Sequence, residues 1–183
     1  MHTDTRIRPE QIADHRQIRR IVAQAFGSDA EADLVERIRE SPEFVPEMAL
    51  VAEVGAGPDA SIVGHVMISG AVIRSDEADR RIVMLSPLAV SPEFQRRGIG
   101  GALVRAATSL AEQLGERLVV LEGSPKYYSR FGFEPAARYG IAIHLPDWAP
   151  PEAAQVMLLG GYDGSEATLR GTVVYPPAFD GVE

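Results

Sequence analysis

Val90-Ser91-Pro92-Glu93-Phe94-Gln95-Arg96-Arg97-Gly98-Ile99-Gly100-Gly101 decides the reading of this 183-residue chain. Before it, Arg81 to Val90 is a β run. After it, Gly98 to Leu114 carries apolar residues at Ile99, Leu103, Ala106, Leu110 and Leu114, the spacing of a helix stopped by Gly115. The unit is strand, turn, glycine-opened helix. The first N–H groups of a helix have no partner within it, and the macrodipole places partial positive charge there. Glycines let an anion approach the backbone closely, and Arg96 and Arg97 add fixed charge beside it. Glycine costs about 1 kcal/mol relative to alanine within a helix, so three of them in four residues at its head need a reason beyond a tight turn. A diphosphate is the guest that these features suit.

The pattern GxxxxGK[ST] is absent, which argues against a P-loop nucleotidase. A dinucleotide fingerprint needs GxGxxG, and Leu103 stands where the third glycine belongs. Glu122, roughly 20 residues on at the end of the next strand, stands where a ribose-binding acid would. The long loop before the glycines and the lack of repeated parallel βαβ units weigh against a nucleotide-dependent oxidoreductase.

Working outward, Arg6 to Pro9 reads as an extended start. Ile12, Ile18, Ile21, Val22, Ala25 and Phe26 recur at helical spacing up to Gly27. Ser28 or Asp29 can cap a second helix with Leu34, Val35 and Ile38 inside, and Pro42 and Pro46 break it. Met48 to Val54 and Ser61 to Ile73, joined by the turn at 55–59, read as an antiparallel hairpin. Ser86-Pro87 interrupts the next strand and predicts an edge or a bulge. Arg117 to Leu121 is a short strand, Ser124 to Arg130 one or two helical turns, and the rest short strands between Gly and Pro turns. Val156 to Leu159 and Val173 to Tyr175 are apolar enough to form part of a homodimer edge.

Eighteen Lys and Arg against 26 Asp and Glu give a net charge of -8, which argues against general affinity for nucleic acid or an anionic membrane. With no cysteine, a disulfide framework, a thiolate metal site and a cysteine nucleophile are excluded. The start lacks an apolar leader and no apolar run approaches the roughly 18 residues that span a bilayer, so the cytoplasm is the expected compartment. His2, His15, His65 and His144 have no metal-ligand spacing. His65 stands on a strand expected to pass the substrate side, and Trp148, among prolines, reads as loop packing.

The stretch Val90 to Gly100 resembles the acetyl-CoA signature of the GNAT N-acetyltransferase superfamily, Val-x-Pro followed by (Gln/Arg)-x-x-Gly-x-(Gly/Ala). Tyr127-Tyr128-Ser129-Arg130-Phe131-Gly132-Phe133 is similar to that family's second motif, Tyr-x-x-x-Gly-Phe. With Leu85-Ser86-Pro87-Leu88-Ala89-Val90, the pair is similar to a bacterial subgroup of predicted acetyltransferases. The resemblance covers residues 6–179, with the specific motifs in 85–133.

It implies a single α+β domain over 1–183: a mixed, mostly antiparallel twisted sheet flanked by helices, with C-terminal strands in 140–183. A bulged central strand and a V-shaped split would admit acetyl-CoA, the acetyl donor, with no metal. Gln95, Arg96, Arg97, Gly98, Ile99, Gly100 and Gly101 would hold the diphosphate through their backbone. Leu88, Ala89 and Val90 would run beside the pantetheine, an N–H among them polarising the thioester carbonyl. Tyr128 occupies the general-acid position. Arg130 and Ser124 are further candidates for cofactor contact. No carboxylate lies within Ile82 to Val90, which leaves Glu122, directly or through water, as the candidate base. The implied reaction is direct acetyl transfer to a primary amine; a non-catalytic acyl-CoA-binding or regulatory module of the same fold is the alternative.

Overall fold

The computed structural model describes residues 5–181. His2 and the rest of residues 1–4, on which the reading of a leaderless start partly rests, lie outside the described residues. Strand β1 (Thr5–Pro9) is followed by helices α1 (His15–Phe26) and α2 (Ala30–Arg39). Strands β2 (Ala49–Val54), β3 (Ser61–Arg74) and β4 (Asp79–Val90) come next, then α3 (Ile99–Gln113) and β5 (Leu118–Glu122). Helix α4 (Pro125–Tyr128) precedes β6 (Glu134–Pro135), β7 (Ile141–Ala142), β8 (Ala154–Leu158) and β9 (Gly171–Val174). Among the described residues, no helix is long and apolar enough to cross a membrane.

The sheet runs β1-β2-β3-β4-β5-β8-β6 and is antiparallel except for β4 beside β5 and β7 beside β9. Strand β3 is long enough to share one edge between three neighbours. β2 covers its first half, the Glu43 carbonyl accepts the Gly70 N–H at 2.9 Å, and β9 covers Val72 to Arg74. Of the two segments read as part of a dimer edge, β8 has β5 along one side and β6 against Gln155 and Val156 on the other, and β9 has β3 along one side and β7 against Gly171 and Thr172 on the other.

Alternation sorts the core into two faces. Leu50, Ala52, Val83, Leu85, Val119 and Leu121 meet α3 on one. Ala49, Val51 and Met67 meet α1 and α2 on the other, where Ile82, Met84, Leu118 and Val120 meet the C-terminal elements. Both predicted stripes are buried in part: Ile18, Ile21 and Val22 of α1, and Ile99 and Leu103 of α3 with Ala106 and Leu110 half-buried beside them. The buried face of α3 is Ile99, Leu103, Val104, Ala107, Thr108 and Ala111; Leu114 is half exposed. Ile12 precedes α1 in a 3₁₀ turn and points outward. Nor is Trp148 packed in its loop: it is 82% exposed.

The bulge falls where Ser86-Pro87 predicted it. Val66 faces Leu88 but Ile68 faces Leu85, so Ser86 and Pro87, joined by a cis peptide, both stand opposite Met67. The proline interrupts an interior strand at the one place where the ladder has a residue to spare.

Candidate functional site

Strands β4 and β5 pair in parallel only at Val83↔Val119 and Met84↔Val120. Both run on, β4 to Val90 and β5 to Glu122, without pairing again, so the sheet opens just where β4 bulges. Ser91 donates its N–H to the Val63 carbonyl at 2.8 Å. Alternation then turns the backbone of Ala89 to β3, and that of Leu88 and Val90 to the open edge. The Val90 carbonyl is taken there by the side-chain amide of Gln95 at 3.1 Å. Of the three residues expected beside the pantetheine, Ala89 thus faces the wrong edge to offer a hydrogen bond; it is buried under α1 instead.

The turn after β4 leads to α3 through two left-handed residues, Arg96 at φ 60° and Gly98 at φ 85°. Glycine takes that conformation freely, whereas a non-glycine residue there stores strain of order 1 kcal/mol or more, a feature that clusters at ligand-binding turns. Among the described residues, the backbone N–H groups of Arg96 through Gly101 donate to no protein acceptor. Gln95, placed with them from the sequence, is different: its N–H turns back to the Pro92 carbonyl at 3.4 Å. The open donors begin at Arg96.

Gly100 and Gly101 have a second reason to be glycine. A β-carbon on Gly100 would lie 2.5 Å from the Tyr127 hydroxyl, and one on Gly101 3.0 Å from the Phe131 ring. The second motif therefore folds onto the head of α3, with Tyr127 edge-on to both Tyr128 and Phe131. Ile99 contributes its backbone to the turn while its side chain fills the core. Ser124 caps α4 through its carbonyl, which accepts the N–H groups of Tyr127 and Tyr128 at 3.0 Å; its hydroxyl makes no capping bond.

Three guanidiniums stack on rings at this end. Arg97 lies 5.0 Å from the Phe94 centroid, Arg105 5.0 Å from that of Phe131, and Arg130 4.7 Å from that of Tyr127. Sequence reasoning missed Arg105; its only signal there is its place four residues after Gly101, one helical turn on.

The Tyr128 ring occupies the space a side chain on Gly123 would need, just past the end of β5, and packs against the core on the α3 face. Burial, with a smaller push from Tyr127, raises its hydroxyl well above the ordinary value of 10, so it stays protonated near neutral pH. Glu122 projects from the opposite face, since Leu121 before it belongs to the α3 side. There it accepts a hydrogen bond from Tyr175, the residue after β9, a partner no local pattern could reveal. Burial first, and then this bond, raise the Tyr175 hydroxyl as well. His65 is not at this site. It is buried under α1 with its Nε2 2.9 Å from Glu10.

A family model described as an acetyltransferase (GNAT) domain matches residues 6–136. The chain is 34% identical over 125 residues to the uncharacterized N-acetyltransferase YjhQ of Escherichia coli K12, covering 68% of this chain and 67% of that one. It is 33% identical over 140 residues to the uncharacterized N-acetyltransferase YhbS of the same organism, covering 76% and 80%. The crystal structure of E. coli YhbS in complex with CoA superposes with a TM-score of 0.82 at 30% identity, covering 100% and 98% of the two chains. A GNAT family acetyltransferase from Brucella melitensis in complex with acetyl-CoA superposes at 0.75 and 28% identity, covering 98% and 100%.

Proposed function

The chain belongs to the GNAT acetyltransferase family, and from that premise we propose that it moves an acetyl group from acetyl-CoA directly to a primary amine. One observation carries the reading: the sheet opens between β4 and β5 beside a helix head whose N–H groups have no protein acceptor. The diphosphate of acetyl-CoA sits on the N–H groups of Arg96 to Gly101, beside Arg96 and Arg97. The pantetheine arm runs along the open edge, where Leu88 offers its backbone N–H to the thioester carbonyl.

An alkyl ammonium, with a pKa near 10.4, must lose a proton before its nitrogen can attack, and a departing thiolate, near 8.5, gains one easily. Glu122 takes the amine proton, directly or through water. The nitrogen lone pair forms the new C–N bond, the C–S bond breaks, Tyr128 gives its proton to the sulfur, and the second proton that the nitrogen sheds on becoming an amide restores the Tyr128 hydroxyl, directly or through water. The acid and the base stand on opposite faces of the sheet at one end of β5, so the thioester passes between them. Direct attack is the simpler course, since the chain has no cysteine to carry an acyl group.

The test is thiol release from acetyl-CoA across a panel of primary amines, with calorimetry for the donor alone. The expected result is amine-dependent release matched one to one by acetylated product. Absence of acetyl-CoA binding at millimolar concentration overturns the reading, and binding without release from any amine leaves a carrier rather than an enzyme.

A further inference from the structure

We infer that Gln155 is a positioning residue for the acid: it pins Gly123, whose missing side chain makes room for the Tyr128 ring, and so aims the Tyr128 hydroxyl. The inference rests on the role given to Tyr128 above and extends it to a side chain that belongs to neither motif.

Among the described residues the Tyr128 hydroxyl has no hydrogen-bond partner, so the packing of its ring alone sets where it points. Tyr127 and Phe133 meet that ring edge-on, with centroids 4.9 and 5.7 Å away. The closest fit is at Gly123, where a β-carbon would lie 2.4 Å from Cε2 and 2.9 Å from Cδ2 of Tyr128. A shift of Gly123 therefore moves one wall of the slot that holds the ring.

Gly123 follows the last rung of the β5–β8 ladder, Glu122 opposite Ala154. Its N–H still donates to the Ala153 carbonyl at 3.0 Å, but the chain leading to Ala153 is the 3₁₀ turn Pro151–Ala153 and no longer strand. The Gly123 carbonyl is taken by a side chain instead: the Gln155 Nε2 donates to it at 3.0 Å. Both polar groups of the Gly123 backbone are thus held from the β8 side.

Sheet packing does not call for an amide at this place. Gln155 is 1% exposed, with Leu121 across one side and Pro135 across the other. Leu121 belongs to the α3 face, so Gln155 is directed to the face on which Tyr128 packs. An apolar side chain would fill the position without the desolvation cost of a buried amide. Reach explains the choice of glutamine. Gly123 stands two residues past Leu121, roughly 7 Å along the strand, too far for the shorter asparagine.

The experiment crosses Gln155→Leu and Gln155→Met, which keep the bulk without the donor, with Tyr128→Phe. It reads kcat, both KM values and calorimetric acetyl-CoA binding for each protein with one reactive amine. Each Gln155 variant should lower kcat by roughly 10-fold, since a misplacement of about 1 Å can cost as much as ~100-fold. Both KM values should hold within a few-fold, because the hydroxyl acts on the departing sulfur. With Tyr128→Phe in place, the same substitutions should change kcat by less than about 2-fold, there being no hydroxyl left to aim. A loss of equal size in both backgrounds overturns the proposal, because an amide with only a structural role weakens the enzyme whether or not the hydroxyl is present. So does an unchanged kcat in the Gln155 variants, or failure of both to bind acetyl-CoA where Tyr128→Phe binds it. A wild type without turnover, or a Tyr128→Phe variant as fast as wild type, overturns the reading beneath the proposal and the positioning role with it.

Discussion

The Tyr127 hydroxyl lies 2.5 Å from where a β-carbon on Gly100 would stand, so the two motifs that define the site are fitted to each other through one missing methyl group. Gly100→Ala should cost about 1–3 kcal/mol, the usual range for overpacking a tight contact. With the hydroxyl removed, the nearest ring atom, Cζ, is 3.7 Å away, an ordinary contact. Gly100→Ala combined with Tyr127→Phe should therefore be close to Tyr127→Phe alone. A urea-denaturation double-mutant cycle reads the difference as a coupling energy.

Tyr128→Phe should lower kcat by about 100-fold or more while acetyl-CoA affinity stays within a few-fold, because the hydroxyl acts on the leaving sulfur and not on the bound ground state. The ring still covers Gly123 and still meets Phe133 edge-on, so folding is preserved. Because burial holds the hydroxyl above 10, Tyr128 should cause no alkaline fall in the wild-type rate below that pH. Steady-state kinetics from pH 6 to 10, with calorimetric binding of acetyl-CoA to the variant, check both statements.

Tyr175→Phe keeps the stack on Phe179 but removes the donor to Glu122. If Glu122 takes the amine proton, the loss should appear in kcat and in KM for the amine, with KM for acetyl-CoA unchanged. The direction follows from orientation: a carboxylate no longer held by Tyr175 spends less time aimed at the split. Glu122→Gln should lose more than Tyr175→Phe, by the 100-fold or greater margin of a proton-transfer group. Kinetics on both variants with one reactive amine rank them.

The unit from β4 to α3 was legible because each signal in it is local. Gly98 takes a left-handed φ, Pro92 opens a 3₁₀ turn and Ser86-Pro87 makes a bulge, all within a few residues. Helical phase was harder. The predicted stripe shares Ile99 and Leu103 with the buried face, then follows its margin through Ala106 and Leu110 to Leu114, the residue after α3, whereas the centre of that face continues through Val104, Ala107 and Ala111. The pairing of β9 with β3, and of Tyr175 with Glu122 across 53 residues, depends on how the chain returns, which no window of sequence encodes. The same holds for Arg105: its spacing places it on the helix surface, but only the fold brings Phe131 beneath it.

The last prediction concerns stability and rests on Glu10, whose side chain is 4% exposed beneath α1 and α2. Burial pushes its carboxyl upward, but the bond from His65 and the paired bonds from Arg39, at 2.7 and 3.0 Å, outweigh it and hold the group at about 2 against an ordinary 4.5. Its contribution is complete above pH 4.5 and is lost as pH falls toward 2. His65 is shifted down as well, burial outweighing the pull of Glu10. It stays neutral, with the proton on Nε2 facing the carboxylate and Nδ1 without a partner. Below about 6.5 the unfolded chain protonates this histidine and the folded one does not, so stability falls with acid there too, by at most about 1.4 kcal/mol per pH unit for one proton. Urea unfolding should give a level free energy above pH 7, a decline from about 6.5 and a steeper one below 4.5. His65→Asn should be less stable overall yet level between pH 6.5 and 5. A decline that persists in that variant would assign the first titration to another group.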